Sequence, residues 1–90
     1  MTEEEKLILA AWVMRSTYRV KIMTVLNKHS TIPTVISKET QINKHHVSNV
    51  LHDLKEQSLT KCLNESESKG RSYTLTDMGK EIINIIEGIQ

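Results

Sequence analysis

Between residues 44 and 52 the chain sets out Lys44, His45, His46, Ser48, Asn49 and His52, with only Val47, Val50 and Leu51 apolar among them. These are side chains for reversible polar contact. A carboxamide such as that of Asn49 can bridge N6 and N7 of adenine, hydroxyls and imidazoles donate or accept, and lysine suits guanine or phosphate. A smaller set follows, in which Lys69 and Arg71 flank Gly70 and put two cations on a segment free to bend. Bond-making chemistry is harder to find. No nucleophile–base pair and no paired carboxylates stand at catalytic spacing. The three glycines, Gly70, Gly79 and Gly88, are too scattered for a phosphate-cradling loop. An independent enzyme is not expected.

Four histidines and Cys62 raise the question of a metal, because zinc takes ligands of these types. Ligands must converge on one point. His45 and His52, seven apart on one helix, would stand roughly 10 Å apart by helical rise. His45 and His46, as neighbours, would point about 100° apart. No metal site and no cofactor is expected, and Cys62 reads as a small residue packed within a strand.

The net charge of +1 hides an uneven distribution. Residues 6–52 carry seven Lys or Arg against one acid, Glu39, and hold all four histidines. A basic stretch suits an anionic partner, although solvated helix faces produce one as well. Ninety residues support one domain, 1–90, around a single modest core. The longest apolar run, Leu7 to Met14, falls far short of the ~20 residues of a membrane span. Glu3, Glu4 and Glu5 stand where a secretory leader would be positive, and a single cysteine suits a reducing compartment. These features predict a cytoplasmic protein without membrane contact.

The polar side chains need elements to carry them. Thr2 and Glu5 have capping-box spacing and open a helix that contains the apolar run Leu7 to Met14. Eight apolar residues cover every side of a helix, so one side can face the core and the other needs a second partner. Ser16 caps a second helix with Tyr18, Ile22, Val25 and Leu26 in one stripe. Asn27 to Ser30 ends it, Thr31-Ile32 suits a very short strand, and Pro33 opens a short third helix holding Val35 and Ile36. Thr40-Gln41-Ile42-Asn43 reads as a turn, and Asn43 caps a fourth helix with Val47, Val50, Leu51 and Leu54 inward. That leaves Lys44, His45, Ser48, Asn49 and His52 outward, with Asp53 and Glu56 farther along, turned away from any phosphate. Leu59 to Leu63 and Arg71 to Leu75 are strand-like and joined by the polar segment 64–70. Thr76 caps a last helix with Met78, Ile82, Ile85, Ile86 and Ile89.

A short helix, a tight turn, a longer helix and then a hairpin make a winged helix-turn-helix, mainly α with a small antiparallel β wing. Two stretches carry a closer likeness. Ile36 to Leu51, with Leu54 and Leu59 after it, and Gly70-Arg71 with Tyr73-Thr74-Leu75-Thr76 through Gly79, resemble ArsR- and MarR-type winged-helix transcriptional regulators. Trp12-Val13, Arg15-Ser16 and Tyr18-Arg19 look like the short archaeal versions. Two positions depart from the pattern: Ser37 stands where alanine is usual, and Gln41 where glycine commonly supplies a left-handed backbone.

The resemblance implies sequence-specific binding of double-stranded DNA as a homodimer, to repress transcription. Lys44, His45, His46, Ser48, Asn49 and His52 would then face the major groove. Lys69 and Arg71, chiefly Arg71, would reach the backbone or minor groove from the wing, with Arg15, Arg19 and Lys38 as further phosphate contacts. The dimer is expected from the terminal helices, through Leu7, Ile8, Ala11, Trp12, Ile82, Ile85, Ile86 and Ile89, since these carry more apolar surface than one small core covers. Some ArsR-type relatives place metal ligands on the last helix; here it has neither His nor Cys, and no small-molecule effector is identifiable. The alternative is a winged helix that serves as a protein-interaction scaffold, which would expose apolar side chains on the fourth helix.

Overall fold

Four of the five helices begin on a hydrogen-bonding side chain. A computed structural model describes residues 1–89, in which α1 (Glu3–Met14), α2 (Thr17–Lys28), α3 (Pro33–Thr40) and α4 (Lys44–Glu56) are followed by β1 (Thr60–Cys62), β2 (Tyr73–Leu75) and α5 (Asp77–Ile89). The Thr2 hydroxyl accepts from the Glu5 N–H at 3.1 Å while the Glu5 carboxylate accepts from the Thr2 N–H at 3.0 Å. Ser16 accepts from the Arg19 N–H, Asn43 from the His45 N–H, and Thr76 from the Gly79 N–H. Each satisfies a backbone donor that the first helical turn leaves free. Helix α3 has no such cap and starts instead on Pro33, which has no N–H to satisfy.

One apolar core joins all the helices. Ile22, Met23 and Leu26 of α2 meet Ile36 of α3 and Val47, Leu51 and Leu54 of α4, and Leu59 and Leu75 close the sheet side. Ala10 and Val13 of α1 and Ile82, Ile83 and Ile86 of α5 complete it. Each large side chain so buried contributes about 1.5–3 kcal/mol. The expectation that Ile82 and Ile86 belong to a dimer face is corrected: both are fully buried within the protomer. The cause is that α5 packs against α1, α2 and β2 together, so three neighbours cover what one could not. Close approach on its other side depends on Gly79, where a Cβ would lie 2.1 Å from the Leu59 carbonyl oxygen.

The strands pair antiparallel with Thr60 opposite Leu75, Lys61 opposite Thr74 and Cys62 opposite Tyr73. They are shorter than the sequence suggests. Ser58, at φ 60°, and Leu59, whose N–H bonds back to the Leu54 carbonyl, still belong to the exit from α4. At the other end the Ser72 N–H is taken by the Asn64 side chain. On the far side of β2, Thr31 and Tyr73 exchange both backbone hydrogen bonds, at 3.1 and 2.8 Å, so the brief strand expected at Thr31 is a single bridge. Among the described residues, no helix is long and apolar enough to cross a membrane.

Candidate nucleic-acid interface

The turn between α3 and α4 sets the angle at which α4 is presented. Gln41 takes the left-handed conformation, φ 63° and ψ 22°, that glycine would take freely. Neighbouring side chains hold it there. The Ser37 hydroxyl donates to the Ile42 carbonyl, and the Thr40 hydroxyl donates to the Ile36 carbonyl while accepting from the Ile42 N–H. The Gln41 amide closes back on the Lys38 carbonyl at 3.0 Å. The two departures from the expected pattern therefore form one hydrogen-bonded corner, with Ile42 buried beneath it.

Helix α4 buries Val47, Leu51 and Leu54 and half-buries Val50. Lys44, His45, His46, Ser48, Asn49 and His52 are all exposed. The outward centre of the helix carries His45, Asn49 and His52, spaced at four and three residues. Lys44 and Ser48 flank this row toward the wing. His46 lies on the other flank, where its ring meets Tyr18 of α2 at 5.9 Å between centroids. Glu56 departs from expectation, because it follows His52 on the same face with its carboxylate 3.5 Å from the His52 Nε2. The base-facing surface therefore ends at His52.

The wing folds over the start of α4. Ile32, Pro33 and Thr34, Lys44 and Ser48, and Ser68 to Arg71 with Tyr73 line a shared cleft of about 470 Å³. Among the described residues, Lys69 faces it without a carboxylate partner. Arg71, also exposed, braces the loop that carries it. Its Nε donates to the Glu67 carbonyl at 2.7 Å and a terminal nitrogen to the Glu65 carbonyl at 3.2 Å, so it shapes the loop from within. Asn64 fixes the loop's base, accepting from Ser72 and donating to the Gly70 carbonyl. Glu65 pairs with Lys55 of α4, which holds its carboxyl below the ordinary carboxylate range and raises the lysine. The loop's two acids, Glu65 and Glu67, would repel phosphate, and the first is thus already neutralised.

Of the further cations, Arg19 is turned inward. Its guanidinium stacks 3.8 Å from the Trp12 ring centre and donates to the Trp12 carbonyl at 2.7 Å. Lys38 is exposed on α3, and Arg15 lies beside Ile8 and Trp12 at the end of α1. Tyr18, Thr34, Asn64 and Lys55 were not evident as site residues in the sequence; each enters through a tertiary contact. Among the described residues no three His, Cys, Asp or Glu side chains come together as a metal site.

Elsewhere, α1 turns Leu7, Ile8 and Ala11 outward, with Leu7 56% and Ile8 61% exposed, and α5 exposes Ile89 at 63%. Trp12 lines a cleft with Ile8 and Arg15, and Ile85 a separate one with Glu3, Lys6 and Glu81. Of the eight residues expected at a dimer face, Leu7, Ile8, Ala11 and Ile89 are exposed, Trp12 and Ile85 are half-buried, and Ile82 and Ile86 belong to the core.

No protein-family model matches the chain, and no curated protein matches it either. Solved structures do. A regulator of the MarR family from Enterococcus faecalis superposes with a TM-score of 0.79 at 14% identity, covering 99% of this chain and 83% of that one. The homodimeric winged helix-turn-helix domain of Mb0332 from Mycobacterium bovis, a possible ArsR-family regulator, gives 0.75 at 15%, covering 94% and 78%. ZitR from Lactococcus lactis gives 0.72 at 18%, covering 81% of this chain, which spans only about half (51%) of that protein. Bacterial and archaeal chains match alike, so the expected likeness to an archaeal subgroup is not singled out. At these identities the likeness is one of fold: the chain is a winged helix-turn-helix, five helices with a two-stranded antiparallel wing.

Proposed function

We propose that the protein binds double-stranded DNA sequence-specifically as a homodimer and regulates transcription. The carrying observation is the exposed row His45, Asn49 and His52 on α4, flanked by the cleft that Lys44, Ser48 and Lys69 share with the wing. A row of polar side chains without large apolar neighbours suits base edges, whereas a protein-docking face would present apolar anchors. The resemblance to ArsR- and MarR-type regulators supports the same function. The Mb0332 domain is homodimeric, and the exposed apolar side chains Leu7, Ile8 and Ala11 of α1 and Ile89 of α5 are where this chain would pair. To read two half-sites, such a pair must set its two copies of α4 about 34–36 Å apart, one turn of DNA. A dimer seated on a promoter represses by occupying it, with no further domain required.

Selection of bound duplexes from a random pool tests this, followed by salt titration of Asn49→Ala on an enriched and on a random duplex. Enrichment is expected, with a loss of ~1–3 kcal/mol for Asn49→Ala on the enriched duplex and little change on the random one. Absence of enrichment, or equal losses on both duplexes, would overturn sequence-specific binding and favour a scaffold.

A further inference from the structure

We propose that Tyr18 and His46 form a second phosphate-contacting edge, on the side of α4 opposite the wing, and that this edge tightens on protonation of the imidazole. This rests on the DNA-binding function proposed above.

Tyr18 is 41% exposed, although Ile22, Val25 and Leu26 of its stripe are buried. Its ring lies tilted against His46, and His46 meets His45 edge-on at 6.0 Å. At about 100° per residue, His46 and Ser48 stand roughly 160° apart around α4, with the base-facing row between them. A helix with its side chains is about 10–12 Å across, and the major groove is about 12 Å wide. A helix seated with His45, Asn49 and His52 toward the bases therefore turns its two flanks to the two phosphate strands that wall the groove.

The flanks differ in charge. Lys44 and Lys55 both lie on the wing side, and Lys69 joins them there. On the opposite flank the only residue of α4 able to become cationic is His46. The groups against it are the Tyr18 ring and His45; Lys21 follows Tyr18 one turn along α2 in a cleft with Glu39 of α3, and Asp53 stands two turns down the same flank of α4. Imidazole is the side chain that ordinarily changes charge between pH 5 and 8. A neutral ring can only hydrogen-bond a phosphate, whereas a charged one also displaces a counterion. His52 differs, because the Glu56 carboxylate of the same helix lies 3.5 Å from its ring.

Affinity for an enriched duplex, titrated with salt at about pH 5.8 and about pH 7.8, separates these roles. Wild type, His46→Gln, His52→Gln, Tyr18→Phe and Tyr18→Ala are compared, each checked for folding by its melting curve. Acidification should steepen the salt slope in wild type, and about 0.9 of that steepening should vanish in His46→Gln while surviving in His52→Gln. Tyr18→Phe should weaken binding equally at both pH values and keep the steepening; Tyr18→Ala, which removes the ring that holds His46, should lose it. Steepening that persists unchanged in His46→Gln would overturn the proposal while leaving DNA binding intact. A wild-type protein that binds no duplex at either pH would overturn both.

Discussion

The Ser37 hydroxyl reaches across the turn between α3 and α4 to the Ile42 carbonyl, 2.6 Å away. With Gln41 left-handed between them, this contact offsets a conformation that costs about 1–2 kcal/mol for a residue bearing a side chain. Ser37→Ala should cost ~1 kcal/mol, since a half-buried carbonyl loses its donor. Gln41→Gly should stabilise by ~0.5 kcal/mol, the relief of strain exceeding the greater freedom glycine has when unfolded. Urea denaturation of the three proteins measures both; a lower midpoint for Gln41→Gly would show that the side-chain bond to Lys38 outweighs the strain.

Two glycines of α5 should answer in opposite directions. Gly79→Ala forces a methyl against the Leu59 backbone carbonyl, which no side-chain rotation relieves, and should cost about 3 kcal/mol. Gly88→Ala meets nothing within 4 Å and should gain ~0.5 kcal/mol from helix propensity. Thermal melting of both variants checks the pair.

Burial separates two kinds of isoleucine at the terminal helices. Ile8→Asp, on an exposed surface, should leave the protomer's own stability within about 0.5 kcal/mol yet yield a monomer in sedimentation at tens of micromolar. Ile86→Asp puts a carboxylate in the core and should unfold the chain rather than dissociate it. A wild-type protein that sediments as a monomer would remove the dimer.

The wing's two cations should be distinguishable. Lys69→Ala should lower the salt slope of DNA affinity by about 0.9 without altering the loop. Arg71→Ala removes the donors to the Glu65 and Glu67 carbonyls and should broaden the amide resonances of residues 64–70 even without DNA. The Lys55–Glu65 tether has its own pH window. Because Glu65 is lowered and Lys55 raised, its stabilisation is complete between the ordinary carboxylate and lysine ranges. It is lost as pH falls through the Glu65 value or rises through that of Lys55. Nuclear magnetic resonance titration of Glu65 in wild type and Lys55→Ala should show the carboxyl returning upward in the variant.

Helix starts were legible because a cap is local: Thr2, Ser16, Asn43 and Thr76 each bond within three residues. The outward face of α4 followed from the spacing of Val47, Leu51 and Leu54. Contacts between elements were not so written. Arg71 is a cation in the sequence, and only the folded loop gives its guanidinium two carbonyls to bind. Arg19 finds Trp12 because α1 and α2 meet at a corner. A count of apolar residues puts Ile82 and Ile86 outside because it does not register that α5 has three neighbours, α1, α2 and β2.

The exchange of backbone hydrogen bonds between Thr31 and Tyr73 also decides how much of the wing must be organised when a duplex arrives. The stem of the hairpin is held on one side by β1 and on the other by the segment that leads into α3. Only residues 64–70 extend beyond these bonds, and Asn64 and Arg71 already pin their two ends. Fixing a free residue costs about 1–2 kcal/mol of conformational entropy, so a wing restrained at its root limits that cost to the few residues of its tip.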